Sequence, residues 1–196
     1  VESGARDDLA GAGVALRERY RIEGAHLLGR SMGGAVAMTL AASAPARVAS
    51  LTLIASAGLG ADINRAYIDG FVAGNSRNTL KPHLGALFAD DALVTRQLVD
   101  DLVKYKRLEG VQAALEKIAH AAFDGAAQRR VFRDRLASLA PRTLVIWGER
   151  DQVIPAQHAQ DLPGGVRAEV IAGSGHMVQM ESAADVNRLI VAFLGD

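Results

Sequence analysis

The chain has 196 residues, 49% of them hydrophobic, enough to bury one substantial core. Its 22 basic residues balance 22 acidic ones, which points away from nucleic acid and from an anionic membrane surface as partners. It has no cysteine, so disulfides and thiolate chemistry are excluded and the composition suits a reducing cytoplasm.

The opening VESGARDD is polar and acidic, unlike a signal peptide, and no apolar run approaches the roughly 20 residues of a membrane span. Residues 6–20 read as a helix, with Leu9, Val14, Leu16 and Tyr20 forming an imperfect apolar stripe. AHLLG is a short buried strand, and a helix over 31–43 follows it, terminated by Pro45. VASLTLIAS at 48–56 is a second strand. From Asp62 to about Ala140 the pattern turns helical, interrupted by Gly70, Gly74, Pro82, Gly85, Gly110 and Gly125. TLVIWGERD at 143–151 is a fully apolar strand that breaks at Gly148; a helix near 156–162, a strand at 167–172 and a final helix over 183–194 complete the chain.

Strands alternating with helices predict an α/β class, with a parallel sheet covered on both faces. The helical stretch of roughly 80 residues between the second and third strands is too long for a loop. It reads as a helical cap inserted at about 61–140 into one domain that spans 1–196. Within it Tyr67, Ile68, Phe71, Leu84, Leu87, Phe88, Leu98, Leu102 and Tyr105 recur at helical spacing. Most should be core between cap helices, and a minority should line an acyl pocket.

Gly29-Arg30-Ser31-Met32-Gly33 matches the G-x-S-x-G turn that exposes a serine between a strand and a helix. The glycines give clearance to a serine in a strained backbone conformation. The Met32 N–H, at the helix N-terminus, can face a developing oxyanion. A tight turn whose serine merely caps the helix is the plainer alternative. Two downstream residues separate the two readings, because a serine hydroxyl needs a base and the base needs an orienting acid. Asp151 and His176 each follow a strand, and the order Ser31, Asp151, His176 is the one this arrangement requires. All three fall at one edge of a parallel sheet, where ligands bind in open α/β folds. Glu149 is a rival for the acid, Glu181 is expected near the N-terminus of the last helix, and Asp151 could instead cap a helix after Pro155. His26, His83, His120 and His158 show no metal-ligand spacing and read as surface or structural, so no metal site is expected.

These residues resemble the α/β-hydrolase superfamily over the whole chain. The segments AHLLGRSMGGAVAMTLAASAPARVASLTLIASAGLGADIN, AYIDGFVAG, LKPHLGALFAD, LVTRQLVDDLVKYKRLEGV, LVIWGERDQVIPA and GSGHMVQME look more closely like one group within it. That group is the C-terminal hydrolase-like domain of the dihydrolipoamide acetyltransferase component of bacterial acetoin dehydrogenase complexes. The resemblance implies Ser31 as nucleophile, Asp151 as acid and His176 as base. It also implies an acetyl group carried on a lipoyl arm and passed to coenzyme A, with other acetoin dehydrogenase components as partners. Coenzyme A and the lipoyl group would be substrates, not resident cofactors.

Two departures stand out. Arg30 occupies a place where such turns often carry histidine, and that place tolerates variation. The superfamily also has strands ahead of the first helix, one of whose loops supplies a second oxyanion donor, and this chain contains neither those strands nor a lipoyl-bearing domain. The domain is therefore expected to lack its N-terminal strands. The outer edge of the first strand would then be open to pairing, including with another chain in an oligomer. Losing one oxyanion donor costs on the order of 3 kcal/mol of transition-state stabilisation.

Three rivals remain: an esterase or thioesterase that resolves the same acyl-enzyme with water, a non-catalytic scaffold, and a site at His120. The last arises because HAAFDG matches the H-x-x-x-D-G string of ordinary lipoyl acyltransferases, although VQAALEKIAHAAF is periodic as a helix. The basic run Lys104, Lys106 and Arg107 reads as a solvated helix face. Its alternative is docking of coenzyme A phosphates or an acidic lipoyl domain, with Arg96 assisting.

Overall fold

The computed structural model describes residues 10–15, 19, 23–140 and 142–195. Residues 10–15 are helical, within the helix expected over 6–20, while Leu9, Leu16 and Tyr20 of its stripe lie outside the described residues.

Four parallel strands form the main sheet: β1 (Ala25–Arg30), β2 (Val48–Ile54), β5 (Thr143–Gly148) and β6 (Val166–Ile171), in the order β1-β2-β5-β6. The period-2 geometry of a strand covered on both faces explains why TLVIWG is buried throughout and mostly apolar. Val145 and Trp147 point into the larger core with Leu51, Leu53 and Met38. Leu144 and Ile146 point the other way, into a second core with Val186, Leu189 and Phe193. Those three come from the final helix, α8 (Ala183–Gly195). The larger core is covered by α1 (Met32–Ser43), whose alanines at 35, 37 and 41 are buried and let its backbone approach the sheet closely. Among the described residues β1 forms one edge of this sheet, and Leu28 on it is 55% exposed.

Between β2 and β5 the expected helical character is present. Helices α2 (Arg65–Ala73), α3 (Arg77–Leu84), α4 (Arg96–Lys106) and α5 (Val111–Ala122) occupy it. Their starts follow capping chemistry: Asn64 accepts from Tyr67 N–H, Thr95 accepts from Leu98 N–H, and Ser76 with Thr79 forms a reciprocal capping box. Leu84, Leu87 and Phe88 are buried, and Tyr67, Ile68, Phe71, Leu98 and Leu102 pack against the main core. Tyr105 departs from expectation, being 49% exposed.

Three further departures have physical causes. A two-residue hairpin, β3 (Phe123–Asp124) with β4 (Ala127–Gln128), turns at Gly125 with φ 56°. It is held by Gln128, which donates to Ala61 and Asp62 carbonyls and accepts from Gly58 N–H. The helix expected near 156–162 is a single 3₁₀ turn at Ala156–Ala159. Lys106, expected on a solvated face, is only 6% exposed and donates from Nζ to the Phe71 and Val72 carbonyls. Those carbonyls lie at the C-terminal end of α2, where a helix has acceptors to spare and favours a cation. A short α6 (Leu136–Leu139) leads into β5, and α7 (Val178–Glu181) follows the loop after β6. No helix among the described residues is long and apolar enough to cross a membrane.

Candidate active site

Ser31 stands where β1 ends and α1 begins, with φ 50° and ψ −124°, a left-handed conformation costly for a residue with a side chain. Neighbouring backbone holds it there. Ser31 N–H donates to the Ile54 carbonyl (2.9 Å), and the Ser31 carbonyl accepts from Ala57 N–H (3.0 Å) and Gly34 N–H (3.0 Å). The end of β2 therefore pins the turn on both sides.

The glycines divide differently from the sequence expectation. A β-carbon at Gly29 would lie 2.5 Å from the Gly33 carbonyl oxygen and 2.6 Å from Gly34 Cα. One at Gly34 would collide with Ser56 Oγ and lie 2.7 Å from Ser56 Cβ. Gly33, the last residue of the G-x-S-x-G pattern, has open space around it. Clearance is thus needed at Gly29 and Gly34, where the turn closes on itself and on the β2 loop.

The three sequence-predicted residues meet at the C-terminal edge of the sheet. His176 Nε2 lies 2.9 Å from Ser31 Oγ, and His176 Nδ1 lies 2.7 Å from Asp151 Oδ2. Both the histidine and aspartate side chains are at most 2% exposed. Asp151 does not cap a helix after Pro155. Its other oxygen, Oδ1, accepts from Val153 N–H (2.8 Å) and Ile154 N–H (2.9 Å), closing its own loop and fixing the carboxylate plane. Burial pushes the His176 imidazole below its ordinary pKa, opposed by Asp151 and assisted by Arg30. A neutral imidazole with Nδ1–H directed at Asp151 leaves Nε2 free to accept the Ser31 proton. Met32 opens α1, so its N–H lies in the first turn, where amides lack an intrahelical acceptor.

The rivals fall elsewhere. Glu149 is exposed and accepts from Gly173 N–H at 3.1 Å, fastening the end of β6. His120 is exposed near the end of α5, as the helical periodicity predicts. His158 is buried, 6% exposed, against the edge of Trp147. Among the described residues no cluster of three or more histidine, aspartate or glutamate side chains could hold a metal.

Three side chains beside the site make contacts that the sequence reading did not assign to them. Arg30 reaches across the turn, donating from Nη2 to the His176 carbonyl (3.3 Å) and lying against Met177 Sδ. Tyr67, on α2, is close enough to Arg30 for charge coupling, and burial pushes its phenol up to about 12 against the pull of Arg30. Glu181 ends α7, two positions ahead of α8 and so near its N-terminus as expected, but its carboxylate turns to neighbouring loops. It accepts from Ala89 N–H (2.7 Å) and Gly175 N–H (2.8 Å). A carboxylate that follows the histidine by five positions is a faint signal, because its partners are backbone amides that no side-chain pattern marks.

Comparison with known proteins identifies the family of the chain. A family model described as the alpha/beta hydrolase fold matches residues 5–183. The chain is 50% identical, over 99% of its length, to the "dihydrolipoyllysine-residue acetyltransferase component of acetoin cleaving system" of Pseudomonas putida. It spans 52% of that relative, about half its length. It is 32% identical, over 91% of its length and 65% of the relative's, to a 2-hydroxy-6-oxo-6-phenylhexa-2,4-dienoate hydrolase of Comamonas testosteroni. Among solved structures, a meta-cleavage product hydrolase from Pseudomonas fluorescens superposes with a TM-score of 0.83 at 23% identity, covering 97% of this chain and 71% of that one. That last likeness speaks for the fold. With its sheet, its turn at Ser31 and its matched family model, the chain belongs to the alpha/beta hydrolase fold family.

Proposed function

We propose that the chain is the acyl-transfer domain of an acetoin-cleaving system, moving an acetyl group from a lipoyl thioester to coenzyme A through an acyl-enzyme on Ser31. The observation that carries this reading is the unbroken chain Ser31 Oγ, His176 Nε2, His176 Nδ1, Asp151 Oδ2, with links of 2.9 and 2.7 Å. The 50% identity to the Pseudomonas putida component, named as an acetyltransferase component of the acetoin cleaving system, supports acetyl transfer and the choice of complex.

Chemically, His176 Nε2 takes the Ser31 proton as Oγ attacks the thioester carbonyl carbon. The carbonyl oxygen becomes an oxyanion beside the N-terminus of α1, with Met32 N–H as a donor. Asp151 stabilises the imidazolium that results. Collapse expels the lipoyl thiolate, which takes the proton from His176 and leaves an acetyl ester on Ser31. In the second half the coenzyme A thiol gives its proton to His176 and attacks that ester. Collapse then returns the proton to Ser31 and releases the acetylated thiol. On this reading the helical segment between β2 and β5 serves as the lid, and Tyr67 on it is charge-coupled to Arg30 and Asp151.

Hydrolysis is the second reading, supported by the Comamonas testosteroni relative named as a hydrolase. It uses the same first half with water as the acceptor. Supplying an acetylated dihydrolipoamide with and without coenzyme A tests both. Acetyl-coenzyme A formed in preference to free acetate, and lost in Ser31→Ala by as much as roughly 10⁶-fold, supports transfer. Free acetate at an unchanged rate with coenzyme A present assigns a hydrolase. Transfer that survives Ser31→Ala removes the serine mechanism.

A further inference from the structure

The loop that carries His176 is fastened on both sides of that residue by side chains that touch no reacting atom. On the carbonyl side, Arg30 Nη2 donates to the His176 carbonyl at 3.3 Å, and Arg30 belongs to the same turn as Ser31. On the amide side, Glu181 Oε2 accepts from Gly175 N–H at 2.8 Å, while Oε1 of the same carboxylate accepts from Ala89 N–H at 2.7 Å. Ala89 lies beyond α3, in the turn that also supplies the Leu87 carbonyl to Met177 N–H at 2.9 Å. The loop and this turn are in close contact. A β-carbon at Gly175 would lie 2.6 Å from Ala89 N and 2.7 Å from the Phe88 carbonyl carbon.

Each fastening has a reason to matter. The imidazole is useful only while Nε2 faces Ser31 Oγ, and a displacement of about 1 Å can cost roughly 100-fold in rate. A loop with no regular structure of its own cannot hold such an aim unaided. We propose that Arg30 and Glu181 are positioning residues that clamp the His176 loop between the serine turn and the helical segment. Seating of the 87–89 turn thereby sets the aim of His176 Nε2 at Ser31 Oγ. This clamp rests on the serine reading given above and deepens it.

Electrostatics add a signature that packing alone would lack. His176 is faced by Asp151 from the loop after β5 and by Arg30 from the end of β1. Tyr67 on α2 faces Arg30 and Asp151 as a neutral phenol, and Glu181 engages backbone amides instead of the ring. Of these, the Arg30 charge alone pushes the His176 imidazole toward its neutral form. Removing it lets His176 hold a proton to higher pH.

The test compares the wild-type chain with Arg30→Met, Arg30→Lys, Glu181→Gln and the Arg30→Met/Glu181→Gln pair. A fluorophosphonate reacts with each across a range of pH, and total incorporated label counts the competent sites. The clamp predicts a limiting labelling rate per competent site about 10-fold lower or more in Arg30→Met and Glu181→Gln, with the half-saturating concentration unchanged. The acid limb moves to higher pH in Arg30→Met and stays in place in Arg30→Lys, which keeps the charge. The double variant loses less than the product of the single losses, because both clamps act on one residue. Wild-type rates per competent site in the single variants, even with a lowered melting temperature, would make both residues merely structural and overturn the proposal. A wild-type chain that takes up no label would instead overturn the serine reading, and the clamp with it.

Discussion

Asp151 Oδ2 lies 2.7 Å from His176 Nδ1, while Oδ1 of the same carboxylate accepts from two amides of its own loop. The pair joins the loops after two neighbouring parallel strands, β5 and β6. A carboxylate held by backbone on one oxygen can orient an imidazole with the other. That relationship holds the imidazole in one orientation; on the proposed serine mechanism it defines the base, and the first prediction follows from it.

His176 is pushed below its ordinary pKa by burial, with Arg30 assisting and Asp151 opposing. The base must be neutral to accept the serine proton, so activity falls only once the pH drops through this lowered value. The acid limb of the rate profile should therefore lie below about 6.5, the ordinary histidine value. A limb at or above that value would show that burial does not dominate.

Acid should also weaken the fold. His158 and His176 both have imidazoles held below the ordinary value, with burial as the largest cause. Between the lowered folded-state values and the unfolded value near 6.5, the unfolded chain binds more protons. Stability should be fully present above that value and decline as pH falls below it, by at most about 1.4 kcal/mol per pH unit for each histidine. Denaturant unfolding at several pH values measures this, and His158→Gln should shallow the decline. A flat dependence from pH 7 to 5 would contradict it.

The two neighbouring glycines of the turn should respond differently to alanine. At Gly34 the added methyl meets Ser56, so Gly34→Ala should cost about 1–3 kcal/mol and displace the turn. At Gly33 the space is open and the position is helical, so Gly33→Ala should be neutral or gain up to about 1 kcal/mol. Thermal or denaturant unfolding of the two variants side by side checks this. Equal losses would show that the turn closes in some other way.

Lys106 supplies a third contrast. Its ammonium satisfies the Phe71 and Val72 carbonyls and lies 5.1 Å from the centre of the Phe71 ring. Lys106→Met should destabilise by about 1.5–3 kcal/mol through loss of charge-assisted hydrogen bonds. Lys104→Gln, which removes only an exposed pair with Asp101, should change stability by less than about 1 kcal/mol. If both variants unfold alike, the buried contacts of Lys106 contribute nothing.

Most of the sheet was legible because LVIW and SLTLI are short runs rich in leucine and β-branched residues, bounded by turn residues, the mark of a strand buried on both faces. The meeting of Ser31, Asp151 and His176 could be anticipated because each lies at or shortly beyond the C-terminal end of a strand, β1, β5 and β6 in turn. Lys106 was misread because a basic run looks the same whether its middle member faces water or the end of another helix. Gly33 was overvalued, because which glycine of the turn is crowded depends on Ser56, which comes close to Gly34 only in the folded sheet. The 3₁₀ turn at Ala156–Ala159 and the hairpin at Gly125 are set by tertiary neighbours rather than by periodicity. Glu181 shows the same limit, since Ala89 is 92 positions away in the chain.

The most direct measurement is peptide mapping of the chain after reaction with a serine-directed fluorophosphonate. The strained turn, the buried base and its oriented acid together predict one modified serine, Ser31, and complete loss of label in Ser31→Ala. They predict labelling of Ser31 slowed by roughly 10³-fold or more in His176→Ala. Label distributed over several serines, or persisting in Ser31→Ala, would contradict the assignment of Ser31 as the nucleophile.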